Sequence, residues 1–150
     1  EMTGRPYGLI EKYQMDDAEE AIIIIGSSAG TAKEAIKQLR AQGKKVGLIK
    51  IRAFRPFPAE EIAEALKNVK AFAAMDKDDS FNAHCGPIYA EVCAALYAAG
   101  ISAPKGINYI YGLGGRDVRV ESIQHVFAEL EKVAATGETG ETYRYLDVRE

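Results

Sequence analysis

Three arginines and a group of aspartates are the residues most able to do chemistry. Arg52, Arg55 and Arg116 each follow a predicted strand end, and a guanidinium fork can grip a phosphate or carboxylate through two parallel hydrogen bonds. Asp76, Asp78, Asp79 and Asp117 are predicted on the same edge and could neutralise them. The set therefore reads either as an anion clamp or as a structural ion network. Gly26-Ser-Ser-Ala-Gly30 enters a predicted helix and could cradle an anion with backbone N–H groups. It lacks the GK[ST] ending of a P-loop and the spacing of GxGxxG, so a tight turn with a helix cap is the competing reading. Gly112-Leu-Gly114-Gly115 also misses the dinucleotide pattern, because Asp117 stands where the third glycine belongs. These glycines instead supply positive φ or a close backbone approach. His84 beside Cys85 has the composition of a base and a nucleophile, but sequence neighbours rarely aim their side chains at each other. His125 falls in the polar part of the last predicted helix. HExxH, GxSxG and paired carboxylates are absent from the sequence. The residues alone form no catalytic constellation.

Bulk properties narrow the function classes. The chain has 150 residues, 47% hydrophobic and 27% charged, the balance of one ordinary globular domain. A formal net charge of −3 gives no electrostatic reason to expect nucleic acid or an anionic membrane as a partner. The longest apolar run, Ala21 to Ile25, is far too short to span a bilayer, and no signal-peptide pattern opens the chain. Two cysteines, Cys85 and Cys93, without a CxxC pair are too few for an iron–sulfur cluster or a structural zinc. They read as thiols in a reducing cytoplasm. The chain starts at Glu1, which suggests a piece of a longer polypeptide; tag removal or processing would look the same.

The elements that must position these residues follow from periodicity. Tyr7 to Tyr13 alternates weakly, as a short edge strand would, and Gln14 to Glu20 reads as an acidic connector. Ala21-Ile-Ile-Ile-Ile-Gly26 is a β-branched run without alternation, expected of a strand buried on both faces. Ala32, Ala35, Ile36 and Leu39 then mark one stripe of a helix. Ser27, Ser28 and Thr31 offer N-caps, Thr31 with Glu34 fits a capping box, and Gly43 sits at C′. Further strands are predicted at Val46 to Ile51, Ala71 to Met75 and Ile107 to Tyr111. Helices are predicted from Pro58 as N1 (Ile62, Ala65, Leu66 and Val69 inward) and from Pro87 (Ile88, Val92 and Leu96 inward, stopped by Gly100). The last helix carries Ile123, Val126, Phe127, Leu130 and Val133 and ends at Gly137 to Gly140. Thr142 to Val148 has weak strand character. Four strands alternating with four helices predict an open α/β sheet with helices on both faces. Right-handed crossovers place all four strand C-termini on one edge.

The loops that fail as catalytic motifs carry a family resemblance. Val46-Gly-Leu-Ile-Lys-Ile-Arg-Ala-Phe-Arg-Pro-Phe-Pro58 resembles the strand and "RPFP" turn of the alpha subunits of pyruvate:ferredoxin oxidoreductases. Asp16-Asp17-Ala18-Glu19, Gly26-Ser27 leading to Gly30-Thr31-Ala32-Lys33, and Asn108-Tyr-Ile-Tyr-Gly-Leu-Gly-Gly-Arg-Asp-Val118 are similar to that family in order and spacing. The resemblance spans roughly Pro6 to Leu130. It implies the transketolase C-terminal-like domain, core domain II, of a longer alpha subunit: a three-layer α/β/α fold with a mostly parallel five-stranded sheet. Tyr7–Tyr13 would be its antiparallel strand.

The resemblance also implies an enzyme that oxidatively decarboxylates pyruvate with coenzyme A, giving acetyl-CoA and carbon dioxide while reducing ferredoxin. Thiamine diphosphate with magnesium and 4Fe–4S clusters would serve that chemistry from other domains or subunits. This domain would bind none of them alone and would brace its neighbours in a multi-subunit assembly. Arg52, Arg55, Phe57, Arg116 and Asp117 are the expected interface or scaffold residues, and no residue is expected to be catalytic, cofactor-binding or metal-binding. Two positions depart from the family. Arg119 and Val120 replace the usual Thr-Pro after "GRDV", which costs the last helix its cap, about 1 kcal/mol. Asp76-Lys77 replaces Asp-Arg, which keeps the charge and loses the planar fork. Two other readings stand beside this one. The same role could serve an enzyme for 2-oxoisovalerate, 2-oxoglutarate or another 2-oxoacid, or the chain could be a free-standing anion- or nucleotide-binding module.

Overall fold

A computed structural model describes residues 10–25, 29–51, 58–76, 87–102, 104–110, 119–138 and 143–145. The chain alternates strand and helix from β2 onward, because apolar β-branched runs are separated by stretches with helical periodicity. In chain order the elements are β1 (Ile10–Tyr13), β2 (Glu20–Ile25), α1 (Ala29–Ala41), β3 (Val46–Ile51) and α2 (Ala59–Leu66). They continue with β4 (Ala71–Asp76), α3 (Pro87–Ala98), β5 (Lys105–Ile110), α4 (Val120–Thr136) and β6 (Tyr143–Tyr145).

The strands form one sheet in the order β1-β3-β2-β4-β5-β6. Only β1 runs antiparallel, pairing Ile10 with Ile51 and Tyr13 with Leu48; every other pairing is parallel. The mostly parallel sheet expected from the sequence is thus observed, with β1 as its antiparallel member. The tail adds a sixth strand of three residues, alongside Asn108 to Ile110.

Two cores lie on either side of the sheet. Ile22, Ile24, Leu48, Ala73, Met75 and Ile107 pack against α1 and α4. Ala21, Ile23, Ile49, Phe72 and Ala74 pack against α2 and α3. The alternation within β2 explains why its sequence shows none: both of its faces are buried, so no polar position is needed. The first three crossovers share one hand. In β5–α4–β6 the helix lies on the α1 face while the strand order still moves outward, so this connection has the opposite hand.

Helix ends follow the sequence in part. Gly43, Gly100 and Gly137 have φ of 90°, 74° and 76° and close α1, α3 and α4, as their positions predicted. Arg119 precedes α4 without a side-chain cap, in line with the missing Thr-Pro. The capping box expected from Thr31 and Glu34 is not formed. Thr31 lies inside α1, and Glu34 accepts a hydrogen bond from Gln38 Nε2 at 3.1 Å instead. Pro58 is the N-cap of α2 rather than N1; its carbonyl accepts the N–H of Ile62 at 3.1 Å. Glu20, read as connector, is the first residue of β2.

Candidate functional site

The parallel strands end level with one another. Ile25 is in register with Ile51, and Asp76 with Ile110. The connections that follow β2, β3, β4 and β5 therefore all depart from one edge, the edge at which ligands of open α/β sheets bind. Residues 26–28, 52–57, 77–86 and 111–118 belong to those connections and lie outside the described residues. Arg52, Arg55, Phe57, Arg116 and Asp117 are among them, as are Ser27, Ser28, Asp78, Asp79, His84, Cys85, Gly112, Gly114 and Gly115. Asp76 closes β4, and His125 stands exposed on α4.

The parts of the family-like blocks that are described serve packing. Ala18 from the Asp16–Glu19 block is 6% exposed and lies over Gly47 of β3. A Cβ at Gly47 would come within 2.6 Å of Met15 Sδ, 2.8 Å of the Gln14 carbonyl oxygen and 3.1 Å of Ala18 Cβ. Glycine there lets the β1–β2 connection cross the strand. Arg40 ties the same connection to α1, donating to the carbonyls of Gln14 (2.8 Å) and Val46 (3.0 Å) and to Asp17 Oδ1 (2.7 Å). Its hydrogen bond holds the Asp17 carboxyl below the ordinary aspartate value. Lys33 binds Glu11 at 2.7 Å and sits 5.6 Å from the centre of the Tyr13 ring, anchoring α1 to the edge strand. Arg40 and Lys33 thus tie the connection and the edge strand to α1, while Met15 crosses Gly47 on the α2–α3 face of the sheet.

Three buried polar residues escaped the sequence reading: Ser122 in α4, Asn108 and Glu20. Asn108 is fully buried in β5, and its Nδ2 donates to the Ala74 carbonyl of β4 at 3.0 Å. Its signal was a polar residue within an otherwise apolar strand. Glu20 is 8% exposed at the opposite edge of the sheet. Burial, reinforced by the carboxylates of Glu131 and Glu19, pushes its carboxyl up to about 7. Its signal was the two-residue step to Ile22 and Ile24, which puts it on their face.

The described donors assemble neither a metal site nor a cluster site. The chain has two cysteines, Cys93 half-buried in α3 and Cys85 outside the described residues. Among the described residues no group of three or more His, Cys, Asp or Glu could hold a metal ion. No described helix is long and apolar enough to cross a membrane.

The geometry defines an α/β domain whose described side chains pack strands, connections and helices together. The 2-oxoglutarate:ferredoxin oxidoreductase from Magnetococcus marinus, solved with 2-oxoglutarate, coenzyme A and succinyl-CoA bound, has this fold. The likeness has a TM-score of 0.61 at 20% identity and covers 83% of this chain and 20% of that one. Residues 18–123 match the family described as pyruvate:ferredoxin oxidoreductase core domain II, and the chain belongs to that family. The pyruvate synthase subunit PorA of Methanosarcina barkeri is 42% identical over 151 aligned residues, covering 100% of this chain and 37% of the relative. The ketoisovalerate oxidoreductase subunit VorA of Pyrococcus abyssi is 44% identical over 91% of this chain and 34% of its own length. The alpha subunit of the NADH-dependent phenylglyoxylate dehydrogenase of Aromatoleum evansii is 44% identical over 85% of this chain and 31% of its own. The chain spans about a third of the length of these relatives.

Proposed function

We propose that this chain is a non-catalytic assembly domain of a 2-oxoacid:ferredoxin oxidoreductase, working within a longer alpha subunit, and that the 2-oxoacid is pyruvate. The likeness over the whole chain to a pyruvate synthase subunit carries the reading. The enzyme would convert pyruvate and coenzyme A to acetyl-CoA and carbon dioxide and pass the electrons to ferredoxin. Thiamine diphosphate, magnesium and 4Fe–4S clusters would be held by its other domains and subunits. The chain's own residues would pack, brace and present the edge at the strand C-termini. There Arg52, Arg55, Phe57, Arg116 and Asp117 would form contacts with neighbouring domains, and none would touch reacting atoms. The enzyme would work in the cytoplasm.

A ketoisovalerate enzyme is the second reading, favoured by the 44% identity to VorA. Anaerobic purification of the endogenous protein containing this sequence tests both. Native mass spectrometry should find a large complex that retains thiamine diphosphate and iron–sulfur clusters. Dye-reduction rates across pyruvate, 2-oxoisovalerate and 2-oxoglutarate should then be highest with pyruvate. A dominant rate with 2-oxoisovalerate would move the substrate. A lone 16.3 kDa species without cofactors would overturn the assembly role and bring forward the anion-binding module.

A further inference from the structure

Glu20 begins β2 on the face of Ile22 and Ile24, between the sheet and the α1–α4 layer. Charged groups stand around it from each element packed there. They are Glu131 of α4, the adjacent Glu19, Lys44 of the α1–β3 connection and Lys70 of the α2–β4 connection. Both lysines are engaged elsewhere. Lys44 Nζ lies 3.1 and 2.9 Å from the two carboxylate oxygens of Glu131, and Lys70 Nζ lies 3.6 Å from Glu19. Among the described residues, the Glu20 side chain makes neither a hydrogen bond nor an ion pair. Three carboxylates share two lysines, and the unpartnered one is the most buried, at 8% exposed. Charge on such a group is costly, and neutralisation is the cheaper response.

We propose that Glu20 is a proton-operated latch for the C-terminal half of α4. Protonated, it lets Lys44 and Glu131 seat the helix on the sheet; ionised, it repels Glu131 and loosens residues 130–136.

The cluster is poised for neutral conditions, because burial first, and the Glu131 and Glu19 carboxylates next, push the Glu20 carboxyl up to about 7. Opening the helix end completes the hydration of the carboxyl, whose oxygens keep only slight solvent contact when closed, and returns the group to its ordinary value near 4.5. The open form therefore gains from ionisation, and its population rises with pH. With those two values the opening equilibrium grows about tenfold from pH 6 to pH 8 and levels off above. The consequence reaches past the helix. Gly137 closes α4 and the chain continues to β6, so the amides of Tyr143–Tyr145 should loosen with it.

Hydrogen exchange on the full chain at pH 6 and pH 8, corrected for intrinsic exchange rates, tests the latch. Protection of residues 130–136 should fall about tenfold at pH 8, while α2 keeps its own. Glu20→Gln should hold the pH 6 protection at both values, and Glu131→Gln should shrink the difference. Equal α4 protection at both pH values in the wild type would overturn the proposal. So would a Glu20→Gln chain that still follows the wild-type pH dependence. Should that variant fail to fold, carbon-detected titration of the wild-type carboxyl decides: an ordinary glutamate midpoint overturns the latch, and a neutral one supports it.

Discussion

Replacing Gly106 with alanine should destabilise the domain more than any other single-methyl insertion in β5. An added Cβ would collide with Phe72 Cζ and lie 2.8 and 2.9 Å from its Cε atoms. Non-bonded carbons settle at roughly 3.5–4.0 Å, so ring or strand must yield by more than an ångström. The ring has little room to retreat. Phe72 is 1% exposed, sits in the core with Ile88, Val92 and Leu96, and has the Tyr89 ring at 6.1 Å between centroids. Overpacking of this kind costs about 1–3 kcal/mol. Alanine returns roughly 0.5–1 kcal/mol through the smaller entropy loss of its backbone. The net expectation is a loss of about 1 kcal/mol, a fall in Tm of roughly 2–4 °C at this chain length. Urea unfolding followed by circular dichroism, with unchanged m-value, reads it directly. Phe72→Leu removes the atoms that collide, so the double variant should be at least about 1 kcal/mol more stable than the two single losses predict. A Gly106→Ala variant within about 0.5 kcal/mol of wild type, or strictly additive losses, would refute the account.

Four further outcomes follow from the same geometry. Gly47→Ala should cost about 1–3 kcal/mol in urea unfolding, because Met15 can move but the Gln14 carbonyl is backbone. Asn108→Ala should cost about 1–3 kcal/mol, since a fully buried amide that hydrogen-bonds Ala74 is removed from between β4 and β5. Arg40→Ala should let the Asp17 carboxyl rise toward its ordinary value, seen as a displaced titration midpoint by NMR. For Glu20 the folded value lies above the unfolded one, so its contribution is fully present below about pH 4.5, declines through pH 7 and is flat beyond. The ceiling of that decline is about 3 kcal/mol. In thermal melts Glu20→Gln should be the more stable chain at pH 8, and a wild type whose Tm is level from pH 5 to 8 would contradict this.

Much of the fold was legible because burial on two faces leaves a plain signature. The isoleucines of β2 and the strand from Val46 could be read from composition alone, and Gly43, Gly100 and Gly137 marked helix ends through the one backbone conformation they favour. Local signals failed where two readings of one residue compete. Thr31 could cap a helix or sit inside one, and helix α1 extends past it because Ala29 and Gly30 do not stop it. Glu20 looked like the end of an acidic connector because charge is usually solvated; its burial is set by α4, more than a hundred residues later. Asn108 was visible as part of a family-like block, but its partner, the Ala74 carbonyl, depends on strand register that no local pattern encodes. The arginines and Asp117 of the candidate edge drew attention by residue type. The packing roles of Ala18, Gly47, Lys33 and Arg40 did not, because small size and long reach acquire meaning only once neighbours are placed.

The reversed winding of β5–α4–β6 sets an order of assembly. The three earlier crossovers can coil onto the growing sheet in one sense, each strand laid down as its helix closes. The last strand cannot join that way. Helix α4 packs beside α1, so an order in which it docks before Tyr143–Tyr145 pairs with the open side of β5 is the one the topology favours. The C-terminal strand is therefore the last part to dock and the first to peel off. Native-state exchange should rank its amides as the least protected of all six strands. A domain built in this sequence has a finished core before its final edge is closed, and whatever lies beside that edge meets a sheet that is already folded.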